Sequence, residues 1–206
     1  MVFCRMFFLV GALLFLVHPM EGKPRKKRHS AKKKHVQLVK PSKKFYHEDG
    51  NFSIMFPGSH GEIIGDTSLI ATAFGSTQFY AFTANAQHSA SMIAYYELDM
   101  KKVADKDAAL ASNSKLLLDT LQAQLIANLG GEVQRKVKIV REGLYHSRSA
   151  YFRVKGKENK MVFFRCENVI APPKVYQLLY QSSQSNGPDG AEAKKFFQSF
   201  SLKPKK

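Results

Sequence analysis

Residues Asp107 to Gly131 read DAALASNSKLLLDTLQAQLIANLGG and form the most informative segment of the sequence. Six of its leucines recur at helical spacing: Leu110, Leu117, Leu118, Leu121, Leu125 and Leu129. Because residues three or four apart share one face of a helix, this stretch predicts one amphipathic helix. We expect Asp107 to be its N-cap and Gly130 or Gly131 to supply the left-handed residue that commonly ends a helix.

A helix of this kind needs an apolar partner surface. Its polar residues Lys115, Asp119, Gln122 and Gln124 are expected mainly on other faces. Burying six leucines contributes roughly 9–18 kcal/mol as an upper estimate, at about 1.5–3 kcal/mol each. The flanking segments carry strand patterns, so a sheet is the expected partner. Insertion into a membrane or a partner groove is the alternative.

Five strand patterns precede the helix. Phe45–His47 and Phe52–Phe56 flank the turn signal Glu48–Asn51, which predicts a hairpin. Three further patterns follow at about Ser68–Ala73, Gln78–Ala84 and Ser91–Leu98. Gly75–Thr77 is predicted to be the turn between the first two of these.

Four strand patterns follow the helix, at Val133–Arg141, Tyr145–Lys155, Met161–Ala171 and Val175–Gln181. Consecutive strands with short connections form an antiparallel meander. Ser182–Gly190 is a predicted polar loop, and Ala191–Ser199 is a predicted helix with inward phenylalanines. The sequence therefore predicts an α+β fold, in which an antiparallel β-sheet meander packs against one long central helix and a short C-terminal helix.

The charge of the chain is unevenly distributed. The 206 residues include 32 Lys and Arg against 16 Asp and Glu, for a formal net charge of +16. Residues 1–44 hold 12 of the basic residues and a single acid, Glu21. The part after residue 44 is therefore only mildly basic, and the high charge belongs mainly to an N-terminal arm.

The N-terminus resembles an export signal. Arg5 precedes an unbroken apolar run from Met6 to Val17, which is short for a bilayer span and suits the core of a signal peptide. We therefore predict a signal peptide over residues 1–22 and an extracytoplasmic location, periplasmic or secreted. Gly22 fits the last position before cleavage, whereas Met20 departs from the usual small residue. An uncleaved membrane anchor formed by residues 6–17 is the alternative.

Residues 23–44 are predicted to be a disordered basic arm, because charge repulsion and few apolar residues oppose folding. Its candidate polyanion-binding residues are Lys23, Arg25, Lys26, Lys27, Arg28, Lys32, Lys33 and Lys34. Anionic lipid, anionic surface polymer and nucleic acid are the candidate ligands. Nucleic acid is the least favoured, because no aromatic residue is interleaved with the charges. Positive charge directly after an apolar segment also tends to stay cytoplasmic, which conflicts with export.

Four features together resemble a known family. They are the N-terminal segment Phe45–Gly58 with its Asp49–Gly58 run DGNFSIMFPG, the leucine helix ending in Gly130–Gly131, the strand Val175–Leu178, and the terminal segment Phe196–Phe200. These residues resemble the PsbP-like fold and its small exported bacterial relatives of unknown function. The resemblance covers residues 45–202 and leaves 203–206 as a loose tail. It implies an antiparallel sheet with packed helices and a mostly non-enzymatic, partner-binding role.

The chemistry-bearing residues form no recognisable site. The seven histidines contain no pair at metal-ligand spacing, and the chain lacks G-x-S-x-G, P-loop and dinucleotide patterns. We therefore predict no catalytic residue, no metal site and no cofactor. Cys4 lies in the predicted leader, and Cys166 lies in an apolar strand pattern, where a buried inert thiol is expected.

A second basic feature lies on the two strands after the helix. The candidate docking face consists of Arg135, Lys136, Lys138, Arg148 and Arg153. If these cations share one sheet face, they form a positive surface for an acidic partner. A merely solvated face is the alternative.

The main functional hypothesis is an exported, non-enzymatic domain that binds or scaffolds an unidentified protein partner at the cell envelope. The alternative places the activity in the basic arm, as a binder of anionic membrane, surface polymer or nucleic acid. A second alternative is an enzyme whose site is assembled from residues scattered along the chain.

Overall fold

The fold was analysed in a computed structural model, which describes residues 35–38, 44–57, 62–72, 75–98, 106–140, 146–156 and 159–202. Its strands are β1 (His35–Leu38), β2 (Phe45–His47), β3 (Phe52–Ile54), β4 (Glu62–Thr72), β5 (Gly75–Asn85), β6 (Ser89–Glu97), β7 (Gly131–Val140), β8 (His146–Lys155), β9 (Met161–Ala171), β10 (Lys174–Ser182) and β11 (Ser201–Leu202). Its helices are α1 (Lys106–Asn128), a 3₁₀ turn (Gly187–Asp189) and α2 (Ala191–Ser199). The predicted α+β class is confirmed.

The larger sheet has eight antiparallel strands in the order β1-β4-β5-β6-β10-β9-β8-β7. The four strands after α1 form the expected meander, since β7 pairs with β8, β8 with β9, and β9 with β10. The strands before α1 form a second meander, β4-β5-β6. The two meanders join where β10 pairs with β6, so the first and second halves of the chain meet in the middle of one sheet.

One face of this sheet, called here the α1 face, is covered by α1. Phe152, Phe164, Cys166, Val175 and Leu179 are buried on it. The helix contributes the buried side chains Leu118, Leu125 and Ile126, with Leu117, Leu121 and Leu129 partly buried against the same cluster. The predicted leucine face therefore packs on a sheet, because the strands present the apolar surface that an amphipathic helix needs.

The opposite face, called here the α2 face, is covered by a small sheet and α2. The small sheet has the order β11-β3-β2, and the predicted hairpin over residues 45–54 is its main part. Strand β11, which the sequence did not predict, adds Ser201 and Leu202 to its edge. The inward phenylalanines Phe196 and Phe197 of α2 are buried here, as expected.

One of the two predicted ends of α1 agrees with the structure. The helix begins at Lys106, so Asp107 lies in its first turn and is not the N-cap. Gly130 has a φ of +63°, which confirms the predicted left-handed residue after the last turn. Gln122, expected on another face, is only 1% exposed and lies on the packed side.

Two strand boundaries differ from the prediction. β4 begins at Glu62 rather than near Ser68, because pairing with β1 and β5 outweighs the weak strand propensity of Gly65 and Asp66. The residues of the predicted turn Gly75–Thr77 lie inside β5 and pair with Thr72, Ala71 and Ile70.

The predicted disordered arm also requires a correction. His35–Leu38, assigned to that arm, form β1 and pair with Glu62–Gly65 at the edge of the larger sheet. Val36 and Leu38 interrupt the run of charges, and a free sheet edge offers them backbone partners. The predicted leader 1–22, the arm residues 23–34 and the tail 203–206 lie outside the described residues.

Candidate functional site

A cavity of about 460 Å³ opens on the α2 face, where the turn between β5 and β6 meets the end of β10 and the start of α2. This volume lies in the range of small-molecule sites. Its polar lining consists of Gln87, His88, Ser89, Tyr180, Ser182, Gln184, Asn186 and Glu192. Hydroxyl and amide groups dominate this set, and Glu192 carries its only carboxylate. Such a lining suits a ligand that both donates and accepts hydrogen bonds.

Tyr180 is the polar centre of the cavity. Its hydroxyl donates a hydrogen bond to Glu192 Oε2 at 3.3 Å. Burial raises the pKa of Tyr180, a hydrogen bond with Ser89 opposes that shift, and the Glu192 carboxylate adds to it. The phenol therefore stays protonated at neutral pH and acts as a hydrogen-bond donor toward the carboxylate.

Close backbone packing forms one wall of the cavity. A Cβ on Gly187 would overlap the side chain of Ser182, so only glycine allows the chain to pass there. Ser182 Oγ accepts a hydrogen bond from the backbone N–H of Gln184 at 3.1 Å. Ser183 N–H donates to the carbonyl of His88 at 3.2 Å, which ties the loop after β10 to the turn before β6.

A stack of cationic and aromatic side chains holds the 3₁₀ turn and α2 against the sheet. Arg135 lies over the Tyr151 ring, 4.0 Å from its centroid, and makes two hydrogen bonds to the carboxylate of Asp189 at 2.9 and 3.1 Å. Arg165 lies over the Phe197 ring of α2 at 4.1 Å. These contacts fix the two elements that contribute Gly187, Ala191 and Glu192 to the cavity lining.

The candidate docking face is not one surface. Arg135 and Arg153 lie opposite Tyr151 and Glu132 on the α2 face. Lys136, Lys138 and Arg148 occupy register positions on the α1 face. The physical reason is that side chains alternate along a strand, so residues separated by an odd number of positions lie on opposite faces of the sheet. The side chain of Lys138 is not among those described.

The three arginines of this set already have acidic partners within the chain. Arg135 pairs with Asp189 at 2.9 Å, Arg148 with Asp119 at 2.7 Å, and Arg153 with Glu132 at 2.7 Å. An arginine held by its own carboxylate offers less charge to an acidic partner. Lys136 is exposed at the edge strand β7.

The sequence alone does not reveal this cavity. Residues 182–190 read as a polar loop, and no motif marks the turn at 86–88 as functional. One signal was available in the strands: Ser89, Tyr180 and Ser182 interrupt buried apolar strands at alternate positions. That signal marks a polar patch on a sheet face, but it does not show which loop covers the patch.

Within the described part of the chain, no group of three or more His, Cys, Asp or Glu side chains is placed to hold a metal ion. Among the helices described, none is both long enough and apolar enough to cross a bilayer.

Comparisons with known proteins show no family for this chain. No protein-family model and no curated protein matches the chain. One solved structure with some likeness is a Pseudomonas aeruginosa protein of unknown function, described as a candidate regulator. It is 14% identical, covers 68% of this chain and 98% of its own, and aligns with a TM-score of 0.39. A likeness this distant supports no argument, and the resemblance to the PsbP-like fold stays a prediction.

Proposed function

We propose that this chain is an exported, non-enzymatic binding domain of the cell envelope, and that the cavity on the α2 face is its binding site. The observation that carries the proposal is the lining itself, in which three hydroxyl and three amide side chains surround a single carboxylate. A neutral, hydroxyl-rich ligand such as an envelope saccharide matches these groups, because each sugar hydroxyl both donates and accepts.

The charges of the lining support a neutral ligand. Neither Lys nor Arg is among the lining residues, and Glu192 would repel an anion. The lining also supports binding rather than hydrolysis. Glycoside hydrolysis generally uses two carboxyl groups that flank the scissile bond, whereas Glu192 is the only carboxylate among the lining residues described.

The experiment is an NMR titration of the ¹⁵N-labelled chain with neutral disaccharides, and with a sulfated polysaccharide as the anionic comparison. We expect saturable shifts at residues 86–89 and 180–192 with the neutral sugars alone. Tyr180→Phe and Glu192→Gln should weaken these shifts, since each removes one partner of the pair that organises the cavity. Glu62→Gln, an exposed carboxylate on β4, is the matched control and should change nothing. Shifts with the anion alone, or none at the cavity, contradict the proposal.

Export is tested separately by the N-terminal residue and intact mass of the protein from its native cell. A start near Lys23 in an extracytoplasmic fraction supports export. An intact Met1 in the membrane fraction supports the anchor formed by residues 6–17.

The basic arm is the second candidate, and strand β1 favours it. His35–Leu38, which directly follow the arm cations in sequence, pair with β4 at the edge of the larger sheet. A chain lacking residues 23–34 should lose salt-sensitive binding to anionic vesicles and to sulfated polysaccharide, since released counterions drive such binding. A chain with Gln at the eight arm cations is the length-matched control. Unchanged binding in both chains rejects this candidate.

A further inference from the structure

A row of polar side chains crosses the α1 face beneath α1. Arg148 of β8 lies opposite Asn168 of β9, and Asn168 lies opposite Gln177 of β10. The row continues through Ala94 and Ala81, the next partners across β6 and β5. Directly opposite residues of antiparallel strands share one face, so these positions form a single line under the helix.

The amides of this row are fully enclosed. Asn168 is 0% exposed, Gln177 is 2% exposed, and Gln122 of α1 is 1% exposed. Gln122 reaches the same face, because its Nε2 lies 3.9 Å from the Sγ of Cys166, two residues before Asn168 on β9.

Four polar atoms of these three side chains have no hydrogen-bond partner among the residues that the structure describes. They are Asn168 Oδ1, Asn168 Nδ2, Gln177 Oε1 and Gln122 Oε1. A buried polar atom without a partner opposes folding, and such atoms in native proteins are usually satisfied by another group or by water. Three amides on one face therefore have hydrogen-bonding atoms that are available to a further partner.

The four unpartnered atoms determine which chemical groups a matching partner needs. Three are acceptors and one is a donor, so a matching molecule carries several N–H or O–H groups and at least one oxygen acceptor. The charged side chains of Arg148 and Asp119 beside the row are joined at 2.7 Å, so neither of these two offers a free charge to an ion. The small side chains of Ala94 and Ala81 fill less volume than their neighbours Met92 and Tyr96 on that face.

We propose that Gln122, Asn168 and Gln177 form a second binding site, between α1 and the sheet, for a small uncharged molecule of the amide or urea type. The site lies on the sheet face opposite the cavity and does not depend on the function proposed for that cavity.

The test uses acetamide and N-methylurea as probes, with acetate and guanidinium as charged comparisons. Side-chain amide signals of ¹⁵N-labelled full-length chain are followed during titration. We expect saturable shifts of the Asn168, Gln177 and Gln122 amide signals with the neutral probes alone, together with slower exchange of the backbone amides of α1.

Variants separate this site from unspecific effects. Gln122→Met keeps the volume and removes the amide, and should abolish the response. Gln124→Met changes an exposed amide two residues along α1 and should leave the response intact. Asn168→Leu should also abolish the response, provided that this variant folds. If it does not fold, Gln122→Met still tests the proposal. Long-lived water signals at these amides without any probe response, or a response that survives Gln122→Met, would overturn the proposal.

Discussion

At the scale of single residues, His47 is held in its neutral form by its surroundings. Its Nδ1 accepts a hydrogen bond from the backbone N–H of Gly50 at 2.9 Å, and its ring lies 4.5 Å from Phe82 and 5.5 Å from Tyr95. Burial lowers the pKa of His47 from its usual 6.5; the Asp49 charge opposes this and Lys174 adds to it. Protonation would remove the hydrogen bond and place a charge among aromatic rings.

This environment predicts a pH dependence of stability. The unfolded chain binds a proton at His47 more readily than the folded chain, so the free energy of unfolding falls as pH drops below about 6.5. His47→Gln removes that contribution. We expect the stability difference between the native chain and His47→Gln to shrink from about pH 7 to about pH 5 in denaturant titrations. His88→Gln, an exposed histidine, is the control, and a pH-independent difference for His47→Gln contradicts the prediction.

Cys166 illustrates a thiol made inert by its surroundings. It is 0% exposed on the α1 face, and burial raises its pKa to about 12, against smaller opposing hydrogen bonds from Ala150 and Gln122. The reactive thiolate is therefore almost absent at neutral pH.

We expect iodoacetamide at about pH 8 to leave Cys166 unmodified in the native chain and to alkylate it once guanidinium unfolds the protein. Peptide-resolved mass spectrometry separates Cys166 from Cys4. Ser183→Cys, at an exposed position, should react in the folded state and serves as the positive control. Native labelling of Cys166 at the rate of that control would refute the prediction.

At the scale of elements, two neighbouring glycines end α1 for different reasons. Gly130 has a φ of +63°, and a Cβ there would meet nothing within 4 Å. A Cβ on Gly131 would lie 2.7 Å from the Phe152 ring and 3.1 Å from Ile126. The first position therefore needs glycine for its backbone angle, and the second needs it for space.

This contrast predicts different responses to substitution. Gly130→Ala should cost about 1–2 kcal/mol, since only the left-handed backbone opposes it. Gly130→Asn should recover much of that loss, because Asn tolerates this conformation better. Gly131→Ala and Gly131→Asn should both destabilise the chain, and Asn should cost more because it is larger. Denaturant midpoints of the four variants check the order; equal values for Gly130→Ala and Gly130→Asn contradict it.

At the scale of the whole molecule, the two faces of one sheet are coupled through the strands they share. Strand β6 sends Met92 and Ala94 to the α1 face, and Ile93 and Tyr95 to the α2 face. Strand β10 divides its residues in the same way, with Leu179 on the first face and Leu178 on the second. Loss of packing on either face therefore loosens strands that support the other.

We expect Leu125→Ala on α1 and Phe196→Ala on α2 each to lower the free energy of unfolding by about 2–5 kcal/mol. Both variants should unfold in a single transition. Hydrogen exchange should speed up on both faces, so Phe196→Ala should reduce protection in α1 and Leu125→Ala should reduce it in α2. Thr120→Ala, exposed on α1, is the control. Faster exchange confined to the mutated face would contradict the coupling.

Local sequence patterns predict most of the elements, but not β1 or β11. The leucine spacing predicted α1 and its packed face, the alternating strands after it predicted the meander, and Gly130 predicted the end of the helix. These features depend on neighbours within a few residues, where periodicity and backbone preference act directly. Which distant segments meet follows from the tertiary structure alone: β10 pairs with β6, β1 pairs with β4, Arg135 pairs with Asp189, and Gln122 reaches Cys166 on the face that also carries Asn168 and Gln177. The physical reason is that such contacts depend on strand order and on the face of the sheet that each residue occupies. A site built from the turn at 86–88 and the segment at 180–192 therefore has no local sequence pattern that would reveal it.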